Sequence, residues 1–407
     1  MNVRSYLEFQ PTEHVLRART SVCMHLLGPG KSNYRVMNDA MALVKAGYRV
    51  TIVDVISDQG QPDCEDVAGI QFLHIAAPSW FVPTRLKVWF VLKMFLLIVR
   101  CTRRLLYVKA DIYHAHVEHT FLATYMVARL YRKKLIFDTP ELTMFGPTIM
   151  RWPRLRNCAI QCIRRLTRNC DGYITGSPLY GPVLADLYHL EDILILRHIP
   201  PYRAVAKNMR LHKYLGLDAS VRIVLYQGYM QEDRGLELLI YAANHLTPGI
   251  ILILMGNSYG DTASKLMKLI DNEQVADRIK IVPAMPYNEL LDWTSSADLG
   301  LILLPPDYSL SIRYCLPNKF FEYMMAGVPI LASRLDAIAS LIEQYQIGHI
   351  LDELTPFHVA QTMMTMLRDQ EMLDRMRINA LNAISQGLYW EEESKRLIGL
   401  YHDLTLK

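Results

Sequence analysis

The sequence predicts two α/β domains, each a parallel β-sheet covered by helices on both faces, with a cleft between them. Three observations predict this. The chain has 407 residues, and at roughly 100–200 residues per domain two domains are favoured. Short apolar runs alternate with longer helical patterns in both halves, as parallel sheets buried on both faces require. Midway, residues 197–211 carry a Pro-Pro pair and no periodicity, which marks a joint. Apolar residues make up 51% of the chain and charged residues 21%, which suits full-sized cores and excludes a disordered, collagen-like or disulfide-stapled chain.

The elements follow in order. Residues 21–27 (SVCMHLL) read as a buried strand, closed by Gly28-Pro29-Gly30. Helical periodicity runs from Tyr34 to Lys45, with Val36, Ala40, Leu43 and Val44 on one face and Gly47 as the stop. Further strands are expected at 49–55, 70–75, 112–115, 134–137, 172–175 and 193–196. The second domain repeats the pattern, with strands at 222–227, 250–255, 279–282, 299–303, 328–332 and 349–351. Helices are expected at 235–244, 262–270, 288–294 and 318–325. The expected domains are 1–200 and 201–387, with a helix over 388–407 packing back on the first.

Ligands of such sheets sit beyond the carboxyl ends of the strands. The most informative segment there is 316–333 (LPNKFFEYMMAGVPILAS). Pro317 suits a first helical turn. Asn318 and Glu322 are four apart and Lys319 and Glu322 three apart, so all three share one face. The helix N-terminus and Lys319 favour a phosphate, and Glu322 can accept from a vicinal diol such as a ribose. The alternative is a solvated helix face with a Lys–Glu pair, and the residues alone leave both open.

Charge is uneven. Residues 1–200 hold 25 Lys/Arg against 16 Asp/Glu, a net +9, and residues 201–407 hold 19 against 24, a net −5. Residues 80–110 contain seven Lys/Arg and no acid, and 142–170 contain six Arg (151, 154, 156, 164, 165 and 168) and no acid. Trp80, Trp89 and Trp152 accompany them. This mixture favours an anionic membrane surface. The competing reading is a core helix with a solvated basic side. Residues 88–99 are apolar at eleven of twelve positions, with Lys93 inside, and are too short to span a bilayer. No signal peptide is expected at the N-terminus.

The seven cysteines include no CxxC pair, and Cys158, Cys162 and Cys170 lack a fourth ligand, so buried free thiols are expected rather than zinc. His114 and His116 put both rings on one strand face, with His119 a turn later. Histidines that are structural, or that line a binding site, are expected there, and no metal.

The pattern PNKFFEYMMAGVPILAS resembles the donor-site motif of the retaining GT-B glycosyltransferases of family 4. Other pieces fall in the same order: Gly28–Gly30 with Arg35-Val36-Met37-Asn38, Asp111-Ile112-Tyr113-His114-Ala115-His116, Tyr226-Gln227-Gly228 with Arg234-Gly235-Leu236-Glu237, and Ala297-Asp298-Leu299-Gly300. The resemblance covers about residues 20–400. It implies two Rossmann-like domains facing a central cleft. It implies a nucleotide-diphosphate sugar held by the second domain, with Glu322 on the ribose, Asn318 and Lys319 facing the diphosphate, and Arg234 stabilising the leaving group. Gly28 and Gly30 from the first domain, and Gly228 and Gly256 from the second, would let backbone approach the donor. Glu141 is implied as a polar catalytic group on the acceptor side, and neither a metal nor another cofactor is required.

Three departures from the family pattern stand out. Tyr314 occupies the place of a first glutamate, Tyr229 that of a first basic residue, and Pro140 that of a histidine. The expected activity is retaining transfer of a sugar to a hydroxyl, in glycan, polysaccharide or glycolipid synthesis. The acceptor would be lipid-linked, at the cytoplasmic face of a membrane. Nucleic acid is not an expected partner, since no nucleic-acid motif is present. The rivals are a nucleotide-sugar epimerase and a non-catalytic donor-binding partner of a glycosylation complex.

Overall fold

The computed structural model describes residues 20–56, 62–77, 87–231 and 234–406. Trp80 and the start of the first basic segment lie outside them. The chain divides into two compact units. One comprises the residues through Thr175, Gly181–Leu196 and Ser394–Lys407, and the other comprises Gly176–Tyr180 and Arg197–Glu393.

The first unit holds an eight-stranded sheet: β1 (Ser21–His25), β2 (Arg49–Ile56), β3 (Cys64–Val67), β4 (Ile70–Ala76), β5 (Ile112–His116), β6 (Lys134–Thr139), β7 (Gly172–Thr175) and β8 (Leu194–Ile195), in the order β3-β4-β2-β1-β5-β6-β7-β8. Every pairing is parallel except β3 with β4. The sequence does not announce β3. Cys-Glu-Asp-Val has little strand character, and an edge position beside β4 makes it one.

The second unit holds six strands: β9 (Arg222–Gln227), β10 (Ile250–Met255), β11 (Ile279–Val282), β12 (Leu299–Ile302), β13 (Ile330–Ser333) and β14 (Gly348–Leu351). All run parallel in the order β11-β10-β9-β12-β13-β14. β10 (IILILM) is buried at all six positions, which is why its sequence shows no alternation. Helices such as Leu236–Ala243 and Asn318–Met325 cover the faces with Leu, Ile, Phe and Met.

Some expectations shift. The periodicity-free joint ends inside a short helix, Arg210–Leu215, closed by Gly216 in the left-handed region. Pro317 is the residue before the Asn318–Met325 helix rather than its first. All seven cysteines are free, but only Cys23 and Cys101 are buried. Cys158 and Cys162 are exposed because the helix Pro153–Thr167 turns Ile160, Ile163 and Thr167 inward instead.

Candidate functional site

In the second sheet the strand order reverses between β9 and β12, the point where ligands of open α/β sheets bind. β9 ends at Gln227, which ties three elements together. Its side-chain NH2 donates to Glu322 Oε2 at 2.5 Å, its amide oxygen accepts from Thr294 Oγ1 at 2.7 Å, and its backbone N–H donates to the Tyr323 hydroxyl at 3.1 Å. The Tyr323 hydroxyl in turn donates to the Leu225 carbonyl at 2.8 Å. Its ring lies flat against β12 at Gly300, where a Cβ would stand 2.8 Å from it. That glycine lets the Asn318–Met325 helix settle onto the sheet. The helix then stops at Gly327, whose φ of +63° suits only glycine well.

The helix N-terminus meets the loop after β9. The Lys319 ammonium sits 3.8 Å from the centre of the Tyr226 ring, a cation–π contact, and Asn318 Oδ1 accepts from His198 Nδ1 at 2.7 Å. Burial, reinforced by the Arg234 guanidinium nearby, pulls Lys319 down to about 7. Burial pushes Glu322 up to about 7, against the Gln227 hydrogen bond and Lys319. The structure thus brings Asn318, Lys319, Glu322 and Arg234 to one end of the sheet. Two neighbouring cations and free helix N–H groups make a place where a dianion relieves repulsion. Glu322 is more enclosed than a solvated helix face implies, because Gln227 already occupies one of its oxygens.

Gly228 and Gly256 are required by each other. Gly256 has φ +155°, and a Cβ on it would lie 2.0 Å from the Gly228 carbonyl oxygen. Gly228 has φ +128°, and its Cβ would stand 3.3 Å from Lys319 Nζ. The close approach expected toward a ligand is therefore first an approach of loop to loop, and it leaves Lys319 its place.

In the first sheet the order reverses between β1 and β5. A pocket of about 200 Å³ opens there, lined among others by Leu27, Arg35, His116, Val117, His119 and Pro140. Its floor is a buried ion network. Arg35 donates to Asp138 Oδ1 at 2.9 Å, and His116 Nδ1 lies 3.0 Å from Asp138 Oδ2. His114 Nε2 is 3.6 Å from the same oxygen, and its Nδ1 is 2.7 Å from the Tyr401 hydroxyl. Burial alone would raise the Asp138 carboxyl, but Arg35 and the two histidines outweigh it and hold it well below the usual range. Burial lowers His114 to about 3, so it stays neutral. The other ring nitrogen of His116, Nε2, is buried and has no protein partner among the described residues. Burial also raises Asp39 to about 8, with Asp138 adding to the rise and Arg35 opposing it.

Val117, beside His116, has φ +72° and ψ 152°, a region that is nearly glycine's alone. Such strain is characteristic of ligand-facing backbone.

His114, His116 and Asp138 present ligand atoms within 4.8 Å of one another. Arg35 already supplies the positive charge on Asp138 that an ion would bring, so the set fits a hydrogen-bonded relay better than a metal cage. Gly30, expected to face phosphates, is explained by its own sheet. Its N–H donates to Asp54 Oδ2 at 2.7 Å, and a Cβ would press on Ile52 and Phe72 at 3.1 Å. Gly28 has φ +99° and open space around it. Glu141 is exposed; its carbonyl accepts from Thr139 Oγ1 at 2.9 Å, and it is not among the residues lining the pocket.

Residues 209–383 match the family model described as Glycosyl transferases group 1. A D-inositol 3-phosphate glycosyltransferase from Xylanimonas cellulosilytica is 23% identical over 197 residues, which are 48% of this chain and 45% of that protein. The chain thus spans about half the length of the curated relatives it matches. Among solved structures, sucrose-phosphate synthase from Thermosynechococcus elongatus superposes with a TM-score of 0.79 at 17% identity, covering 95% of this chain and 99% of that one. Anabaena HepE in complex with UDP-glucose superposes with a TM-score of 0.69 at 13% identity, covering 94% and 99%. The fold is GT-B.

The group 1 match contains Arg234, Gly256, Asn318, Lys319 and Glu322, so the cluster around Lys319 and Glu322 lies inside it. Sequence reasoning missed Gln227, Thr294, Arg35, Asp138 and Tyr401 as parts of the sites. Asp138 opens the Asp138-Thr139-Pro140-Glu141 stretch where the family pattern has Asp-x-His-Glu, but its partner shows only in register: it pairs with His116 across β5 and β6.

Proposed function

We propose that this chain is a retaining glycosyltransferase of the family 4 type, moving a sugar from a nucleoside diphosphate to a hydroxyl. The observation that carries the reading is the Lys319–Arg234 cation pair at the N-terminus of the Asn318–Met325 helix, above Glu322 and inside the group 1 segment. The diphosphate would lie against Lys319, Arg234 and the helix N–H groups, and a ribose diol against Glu322. The bond from the anomeric carbon to the phosphate oxygen breaks while the acceptor oxygen bonds that carbon from the same face. The acceptor proton passes to the departing phosphate oxygen. Lys319 and Arg234 stabilise the negative charge as it develops. No enzymic nucleophile, metal or other cofactor is needed. In the first unit, the His116 ring, set against Asp138 and with Nε2 unpartnered among the described residues, is read as a polar contact for a substrate hydroxyl.

The acceptor is read as lipid-linked, at the cytoplasmic face of an anionic membrane, from the acid-free basic segments of the first unit. Among the described residues no helix is long and apolar enough to cross a membrane. HepE was solved with UDP-glucose, which makes uridine diphosphate sugars the first donors to try.

The test is thermal stabilisation by a panel of nucleotides and nucleotide sugars, followed by release of nucleoside diphosphate. A shift for one nucleotide in wild type and none in Glu322→Ala is expected. No shift with any nucleotide sinks the donor-site reading. Stabilisation without turnover on any acceptor would favour the non-catalytic partner, and isomerised donor without freed diphosphate would favour the epimerase.

A further inference from the structure

Over 88–99 the helix Lys87–Leu105 is apolar but for Lys93, yet the first unit buries only one side of it. Leu97, Cys101 and Leu105 point inward. Val88, Trp89, Val91, Leu92, Phe95, Leu96 and Val99 are exposed, with Val88 79%, Trp89 53% and Phe95 61% open to solvent. The solvated side of this helix is therefore its apolar side over 88–99, and the core helix with a solvated basic side is excluded for that stretch. Soluble proteins rarely leave so continuous a patch uncovered.

Cations frame the patch. Arg100 and Arg103 are exposed at its carboxyl end. At the other end Phe90 packs on Trp152 with ring centres 5.0 Å apart, and exposed Arg151 and Arg154 flank that tryptophan. No acid occurs in 87–110 or 142–170. Not all of the arginines are available: Arg164 Nε donates to the Leu187 carbonyl at 2.9 Å, and Arg156 Nε to the Met144 carbonyl at 2.6 Å.

We propose that this helix lies in the interface of an anionic lipid bilayer, with Trp89, Leu92, Phe95 and Val99 among the acyl chains and the flanking arginines on the headgroups. The stretch 88–99 is about 18 Å long, suited to lying in the plane and too short to cross. Charge complementarity selects lipid. An apolar strip bordered by cations, with tryptophan at its edge, matches the layering of an anionic interface, where long basic side chains reach outward to phosphates. This rests on the membrane-surface reading of the glycosyltransferase and supplies the surface it needs.

The test is flotation of the whole chain with vesicles of phosphatidylcholine alone or mixed with phosphatidylglycerol, at low and high salt. Wild type is expected to float with the anionic vesicles. Trp89→Ser with Phe95→Ser is expected to cut retention about tenfold or more, at any salt. Arg151→Ser with Arg154→Ser is expected to lower retention at low salt only. Shielding of wild-type tryptophan fluorescence from a soluble quencher by anionic vesicles gives a second readout without mutation. Wild type that does not float, or a Trp89/Phe95 variant that floats equally, overturns the proposal. A wild-type dimer that this variant dissociates would assign the face to a second copy and also overturns it. Nucleotide-induced stabilisation, measured alongside, fails separately if the glycosyltransferase reading itself is wrong.

Discussion

Glu322 and Lys319 are the residues whose chemistry is most altered by the fold, and they move in opposite senses. Glu322 is raised to about 7, so the folded chain keeps a proton the unfolded chain has lost. Its contribution to stability therefore falls as pH rises from about 4.5 to 7. Lys319 is lowered to about 7, so the folded state resists its charge, and stability falls as pH drops from about 10.5 to 7. Glu322→Gln keeps a partner for Gln227 and removes the buried charge. It is expected to stabilise the chain by about 3 kcal/mol at pH 8 and by little at pH 4, in denaturant midpoints, while abolishing nucleotide binding. Wild-type affinity for a nucleoside diphosphate is expected to fall above pH 7 by up to about tenfold per unit as Lys319 loses its proton, and calorimetric titration of Lys319→Met should lose that slope. At Val117 the expectation is reversed from the ordinary loss. Val117→Gly relieves a strained backbone, so equal stability or a gain of up to about 1 kcal/mol is expected by chemical denaturation. A loss beyond that would mean the strain is absent.

Among the elements, the two loops after β9 and β10 act as one. Gly256→Ala would drive a methyl into the Gly228 carbonyl, so the loops must part. A destabilisation of roughly 3 kcal/mol or more is expected in thermal and denaturant melts, with loss of the nucleotide-induced shift. If stability holds while binding is lost, the glycine serves the ligand alone. The Asn318–Met325 helix was fully legible in sequence, from Pro317 to Gly327, because its start and stop signals are local. The bare apolar face of the Lys87–Leu105 helix was not. Over 88–99 apolar residues stand on both its buried and its exposed sides, with Lys93 the one charge in that stretch, so only packing reveals which side the protein covers.

On the scale of the whole molecule, each unit is built on a sheet that is parallel apart from the β3 edge of the first, with its polar cluster at the reversal of strand order. The segment Ser394–Lys407 belongs to the first unit, where Leu397, Tyr401 and Leu404 are buried and Leu400 lies against Gly172. Truncation after Glu393 is expected to open the first unit to limited proteolysis, since Tyr401 also leaves His114, while the nucleotide-induced shift of the second unit survives. Loss of both together would mean that the units do not fold separately. The sequence by itself determined the alternation of strands and helices, the division into two units, and the Asn318–Met325 helix that carries Lys319 and Glu322. Those are written in local periodicity and in glycine and proline signals. Tertiary structure decided which atoms meet: Gln227 on Glu322, Arg35 and His116 on Asp138, the Gly228–Gly256 contact, and the uncovered face from Val88 to Val99. Each depends on strand register or on what packs against a helix, and neither leaves a mark in the order of residues along the chain.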